Sequence, residues 1–294
     1  MSGGAEQSSA FDAELRKGRC IAAPGVYDPY SALCCEQLGF NALYLGGNAM
    51  GLHLGVGQPF VTLTETTEIL QRIRRLVSTP LIVDAGAGFG DAAHAALAMR
   101  TLSAAGAAAI HVDDQIYPKR AHYHRGKGRL SEADVVCGKL RAMQQSGCGG
   151  DTTLIIRTDA LRVTGSVEKT ISRCEKYLEV AKGAALMVLD LGPDQISQFR
   201  AAFPSTPLIW IGGIAEPVPN LTELDAAGFA LALYPFNTIG AAALAIHTTW
   251  SGFNTSGRPA PFAQPDNNIL SQTLETIGLR KAIGIEETTT EAGE

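Results

Sequence analysis

Eight short apolar runs, each followed by a segment with helical patterning, constrain this chain more than any other feature. They occupy 21–25, 42–45, 81–83, 107–112, 154–156, 186–189, 208–211 and 230–233, and most give way to Gly, Asp or Arg. Runs this short read as strands. The intervening segments carry helix signals. In 62–77, Ile69, Ile73 and Val77 recur every four residues and put one stripe inward, and 91–106 is rich in Ala. Asp28-Pro29 or Ser31 can cap a helix over 30–38, and Gly39 stops it. Strand–helix alternation implies a parallel sheet, and eight such units close into an α/β barrel of the (β/α)8 TIM type. A doubly wound open sheet competes. It would spread fewer strands over this length and carry a phosphate loop after the first strand, where this chain has only Pro24-Gly25-Val26.

The length fits, since 294 residues is close to the usual size of one such barrel. Hydrophobic residues make up 46% and charged residues 18%, enough for a large core and too little charge for disorder. The formal net charge is −5 and the charges are interspersed, with no basic run interleaved with aromatics, which argues against a nucleic-acid surface. The six cysteines form no Cys-x-x-Cys pair, and Cys34 and Cys35 are adjacent, so neither zinc nor a disulfide framework is expected. They read as small buried hydrophobes. The first ten residues are small and polar, with no signal-peptide core, and no run reaches membrane-span length. A reducing, cytoplasmic location is the expectation. Residues 1–19 read as a flexible segment merging into a short helix from 11, residues 20–250 as the barrel catalytic domain, and 251–294 as a Gly/Pro-rich linker, a helical stretch over 268–279 and an acidic tail. The polar, basic stretch 115–128 reads as a loop able to act as a lid.

Within this frame, Pro80 to Gly90 stands out. An apolar strand ends at Asp84, and Gly86, Gly88 and Gly90 follow. The spacing is Gly-x-Gly-x-Gly, which is not a dinucleotide fingerprint. Barrel chemistry is carried at the C-terminal ends of the strands. Here these ends are Tyr44-Leu45-Gly46-Gly47, Asp84, Asp113-Asp114, Arg157-Thr158-Asp159, Asp190 and Gly212-Gly213. Carboxylates converging there suit Mg²⁺ or Mn²⁺, which prefer oxygen ligands. Arg157 suits a fork-like grip on a substrate carboxylate. The structural alternatives are that Asp84 only forms the turn and that Arg157 only pairs with Asp159 or Asp190.

Several segments, in order over roughly residues 20–250, carry a resemblance. They are Pro24-Gly25-Val26-Tyr27-Asp28, Tyr44-Leu45-Gly46-Gly47, Val83-Asp84-Ala85-Gly86-Ala87-Gly88-Phe89-Gly90, Ile110-His111-Val112-Asp113-Asp114-Gln115, Pro118-Lys119-Arg120, Arg157-Thr158-Asp159-Ala160 and Ala232-Leu233-Tyr234-Pro235. Together they resemble the isocitrate lyase/phosphoenolpyruvate mutase superfamily, nearest its methylisocitrate-lyase-like branch. The resemblance implies a barrel whose C-terminal helix is swapped between subunits, in a homotetramer. It also implies a Mg²⁺-bound small 2-oxo or 2-hydroxy acid at the mouth, with chemistry through an enolate. Carried over by position, Asp84 and Asp113 would be metal-site carboxylates, Asp113 standing where the family has Glu. Tyr44, Gly46 and Gly47 would form the carboxylate-binding turn, Arg157 would grip the substrate and Asp190 would replace another site Glu.

Two departures bear on the reaction. The family's Asp-x-Asp after strand three has lost its second acid to Gly86. The lid motif, whose Cys donates a proton in the lyases, reads Lys119-Arg120-Ala121-His122-Tyr123-His124 here, with Ala121 in the Cys position. His122, Tyr123 and His124 become candidate acids. The expected function is a Mg²⁺- or Mn²⁺-dependent carbon–carbon lyase, of retro-aldol or decarboxylase type, acting on a small 2-hydroxy or 2-oxo (di)carboxylate. Isocitrate or methylisocitrate cleavage by the usual route is disfavoured. The alternatives are phosphonopyruvate-type carbon–phosphorus chemistry and a catalytically silent 2-oxo-acid-binding protein.

Overall fold

A computed structural model describes residues 3–121, 128–146, 152–193, 195–261 and 269–289. Its strands are β1 (Ile21–Val26), β2 (Leu43–Leu45), β3 (Leu81–Asp84), β4 (Ala109–Asp113), β5 (Thr153–Thr158), β6 (Ala185–Val188), β7 (Leu208–Ile211) and β8 (Leu231–Tyr234). They pair in sequence order, all parallel, and β1 closes on β8. The eight expected runs are the eight strands.

Side chains along a strand alternate between faces, and this divides the core in two. Ile21, Ala23, Tyr44, Ile82, Ala109, Ile155, Met187, Ile209 and Leu231 cluster inside the barrel. Leu43, Leu45, Leu81, Val83, Ile110, Val112, Leu154 and Ile156 pack outward, together with helix residues such as Ile69, Ile73, Leu140 and Phe199. Burial of both strand faces is why the runs are continuously apolar.

Several helix signals hold in detail. Asp28 caps the helix Pro29–Gln37 through a capping box with Ser31, and Thr62 with Glu65 does the same for Leu63–Arg74. Other elements extend beyond the sequence reading. The N-terminal helix spans Gly3–Leu15, and Phe11 and Leu15 are buried with the barrel-interior cluster. Their apolar side chains have a site only once the barrel has closed. The stretch after β2 contains the helix Gly47–His53 and a 3₁₀ turn at Gln58–Phe60, neither marked by a period in the sequence. Past the helix Ile269–Thr276, the segment read as an acidic tail forms a further helix, Leu279–Thr289.

No described helix is long and apolar enough to cross a membrane. Among the described cysteines, Cys20, Cys35, Cys137 and Cys174 are buried, Cys34 is half-buried, and all are free.

Candidate active site

Asp84 ends β3, and in the sheet register it lies beside His111 on β4. Asp113 on β4 lies beside Arg157 on β5. Tyr44 is the middle residue of β2. Tyr44 belongs to the interior cluster itself, and the other four point inward by the same alternation as Ile82, Ala109 and Ile155, two or four residues nearer the C-terminal end. All are almost wholly buried.

Asp84 is saturated with donors. Its Oδ1 accepts from Gly86 N at 2.8 Å, and its Oδ2 accepts from Gly47 N at 2.9 Å and from the Gln58 amide at 3.1 Å. Only glycine fits at position 47, because a Cβ there would lie 2.8 Å from Asp84 Oδ2 and 2.5 Å from the Gln58 amide nitrogen. Gly86 has a positive φ of 51°, and a Cβ at that position would meet nothing within 4 Å.

His111 lies between the two carboxylates. Its Nε2 is 2.7 Å from the Tyr44 hydroxyl and 3.4 Å from Asp84 Oδ1, and its Nδ1 is 3.5 Å from Asp113 Oδ1. Burial disfavours an imidazolium, but Asp84 and Asp113 outweigh it and raise the pKa to about 9. Burial also opposes ionisation of both carboxyls. The net direction is nevertheless down, with His111 dominating at Asp84 and Arg157 and Lys119 dominating at Asp113. Lys119 donates to Asp113 Oδ2 at 2.6 Å from the loop after β4. Arg157 Nε donates to Asp159 Oδ1 at 3.0 Å and lies 3.6 Å from Asp113 Oδ1.

A cavity of about 400 Å³ opens at the barrel mouth, walled by Tyr44, Gly47, Asp84, Arg157, Asp190 and Trp210 among others. That volume suits a small organic acid. Asp84, His111 and Asp113 offer ligand atoms within 4.8 Å of one another. Asp113 Oδ1 is buried with no hydrogen-bond donor, an unused lone pair of the kind a cation takes up. The two carboxylates therefore fit a hard divalent metal, and the His111 imidazole could join them only by giving up its proton.

The expected residues converge unevenly. Tyr44, Gly46, Gly47, Asp84, Arg157 and Asp190 wall the mouth cavity, and Asp113 adjoins them from β4. The Gly47 N–H is already bonded to Asp84. Asp190 sits at the exposed rim with φ 65°, and its carboxylate is paired with Arg162 at 2.5 Å. The structural pairing foreseen for Arg157 is present with Asp159, alongside its place at the mouth. His122, Tyr123 and His124 lie outside the described residues. Three contributors were not foreseen. His111 was findable, since it stands two residues before Asp113 on one strand and so shares its face. Lys119 and Gln58 lie on irregular backbone, where no period marks them.

The family model described as phosphoenolpyruvate phosphomutase matches residues 11–253. The chain belongs to this family, within the isocitrate lyase/phosphoenolpyruvate mutase superfamily. A 2-methylisocitrate lyase from Aeropyrum pernix is 32% identical over 239 residues, covering 80% of this chain and 75% of the relative. An oxaloacetate decarboxylase from Bradyrhizobium sp. (strain ORS 278) is 29% identical over 275 residues, covering 92% and 93%. The solved structure of an oxaloacetate acetylhydrolase with the inhibitor 3,3-difluorooxalacetate superposes with a TM-score of 0.86 at 25% identity, over 99% of each chain. The three relatives named here are enzymes of small carboxylates, and carbon–carbon cleavage is the activity class that the resemblance implied.

Proposed function

We propose that this chain is a Mg²⁺- or Mn²⁺-dependent carbon–carbon lyase acting on a small 2-oxo dicarboxylate, and that it works by decarboxylation. The observation that carries this reading is that Asp84, grouped with His111 and Asp113, walls together with Arg157 a mouth cavity sized for such an acid. Asp84 and Asp113 would hold the cation, and oxygen-rich donors favour Mg²⁺ or Mn²⁺ over softer metals. When bound, it would supply Lewis acidity toward negative charge on the 2-oxo oxygen.

The chain's own residues account for the rest. Arg157, charged at all working pH values, binds a substrate carboxylate and is held in aim by Asp159. Tyr44, which walls the cavity and whose hydroxyl is held by His111 Nε2, offers its O–H group toward the developing oxyanion. Lys119 keeps the Asp113 carboxylate ionised. Ala121 stands where the lyases of the superfamily carry a proton-donating Cys. A retro-aldol cleavage needs that proton as the bond breaks, whereas a decarboxylation needs it only after CO₂ has left, when solvent can suffice. His122, Tyr123 and His124 remain the candidates for delivering it. The assembly we propose is a cytoplasmic homotetramer with exchanged C-terminal helices, supported by the apolar exposure of the helix Asn237–Trp250.

The test offers oxaloacetate, 2-methylisocitrate, 2,3-dimethylmalate and phosphonopyruvate separately with Mg²⁺ or Mn²⁺ and identifies products by NMR. The expected result is pyruvate and CO₂ from oxaloacetate, lost at least a hundredfold in Asp84→Asn. Oxalate and acetate would replace decarboxylation with hydrolytic cleavage. Turnover confined to phosphonopyruvate would overturn the carbon–carbon reading, and no turnover of any acid would leave a binding protein.

A further inference from the structure

Gln58 is the one polar side chain on Asp84 to which the chemistry above gives no role. It opens the 3₁₀ turn Gln58–Phe60, between the helices Gly47–His53 and Leu63–Arg74. Its Nε2 donates to Asp84 Oδ2 at 3.1 Å. Its Oε1 is enclosed and has no hydrogen-bond partner. The anionic carboxylate sets this orientation, since an amide oxygen facing Asp84 would be repelled. The orientation leaves a buried acceptor unpaired, which protein interiors rarely tolerate without a purpose.

The surroundings indicate what the acceptor is for. Gln58, Gly47 and Asp84 form a common wall between the mouth cavity and a second, smaller one of about 40 Å³. The smaller cavity is also lined by Gly86 and Lys119, and its size admits a water or two. Gly86 is the position of the missing acid, and nothing fills the space its Cβ would enter. A cation at Asp84 would also compete with the Gln58 amide N–H for the same carboxylate lone pairs.

We propose that Gln58 turns its amide over when the cation binds, so that Oε1 accepts a hydrogen bond from a water on the cation, in the place left by the acid missing at Gly86. A half-turn of the terminal amide exchanges nitrogen for oxygen and leaves the side-chain stem in place. It frees Asp84 Oδ2 and gives the unpaired acceptor a donor in one movement. This inference rests on the metal site proposed above.

The same contacts allow a plainer role, in which Gln58 only caps Asp84, and the two roles differ in sign. A cap competes with the cation, so its removal would leave affinity unchanged or increase it. A residue that turns to hold the cation's water would weaken affinity on removal. The experiment titrates Mn²⁺ alone into the full chain, without substrate, and reads free Mn²⁺ by EPR, with circular dichroism confirming the fold. Gln58→Leu is expected to bind Mn²⁺ about tenfold more weakly than the parent, the low end for loss of an outer partner at a metal site. Gln58→Glu, which needs no turn to present an oxygen, is expected to bind at least as tightly as the parent. If the parent binds Mn²⁺ and Gln58→Leu binds equally well or better, the Gln58 inference falls while the metal site stands. If the parent binds no Mn²⁺, both fall.

Discussion

Asp113 and Asp114 are neighbours in sequence with opposite duties. Asp113 faces the barrel interior, beside His111 and Arg157. Asp114 faces outward, where it accepts from Thr158 Oγ1 at 2.6 Å, Asp159 N at 3.0 Å, Arg173 Nε at 2.8 Å and Tyr177 OH at 3.1 Å. Burial is the largest influence on its carboxyl and pushes the pKa up despite these donors. Arg173 also donates to the Ser131 carbonyl, so the knot joins the end of β4 to the base of the loop above it and to the helix Val167–Val180. Asp114→Ala would strand three side-chain donors and one backbone N–H in or near the core. We expect it to cost about 3 kcal/mol, the lower end for breaking a buried charged pair, seen as a lower urea midpoint. Asp84→Asn is expected to abolish metal-dependent turnover, and it should also lower that midpoint, because its NH₂ would face a backbone N–H that Asp84 now accepts from.

At the scale of elements, the strands are held in place by polar ties as well as by packing. Glu36, in the last turn of the helix Pro29–Gln37, accepts through Oε1 from Ser78 N at 2.7 Å, Ser78 Oγ at 3.0 Å, Thr79 N at 2.8 Å and Thr79 Oγ1 at 2.8 Å. It thereby fixes the turn that feeds β3, the strand that delivers Asp84. Partial burial opposes ionisation of Glu36, but the Thr79 and Ser78 bonds outweigh it and the net pKa is lowered. A depressed carboxyl pKa contributes stability that is full above the unfolded value, about 4.3, and is lost as pH falls through the folded one. Glu36→Ala is expected to cost about 1 kcal/mol at neutral pH, allowing for solvent screening of a partly exposed group. The gap from the parent should stay constant from pH 7 to about 5 and shrink below about 4.3. Urea titrations at several pH values would measure it, and a gap that widens on acidification would refute the assignment.

At the scale of the whole molecule, large apolar side chains stay exposed toward the C-terminal end of the described residues. The helix Asn237–Trp250 has no buried residue, and Leu244, Ile246 and Trp250 are 67%, 64% and 55% exposed. Ile277, Ile283 and Ile285 beyond it are exposed as well. Exposed apolar side chains in this number are what the exchanged-helix assembly proposed above would cover. Replacing Leu244 and Ile246 together by Glu is expected to shift the chain to a smaller species in light scattering after size exclusion. A parent that is itself monomeric would remove the prediction and the proposed assembly with it.

Much of this was legible in the chain. The eight runs gave the strand count, and parallel order followed from the intervening helices, because each strand–helix unit is a local pattern. Capping at Asp28 and Thr62 was equally local. Asp84, Asp113 and Arg157 could be placed at the mouth because barrel chemistry gathers at strand ends. The positions hidden from the sequence are those whose meaning comes from distant neighbours. Phe11 and Leu15 look like part of a polar tail until the barrel interior receives them. Gln58 is an ordinary loop residue until the chain folds it onto Asp84, 26 positions away. Local patterning thus determined the barrel and the strand that carries Asp84. Only tertiary structure decided that Lys119 and Gln58 meet there, since contacts made from loops and short turns far apart in sequence leave no period to read.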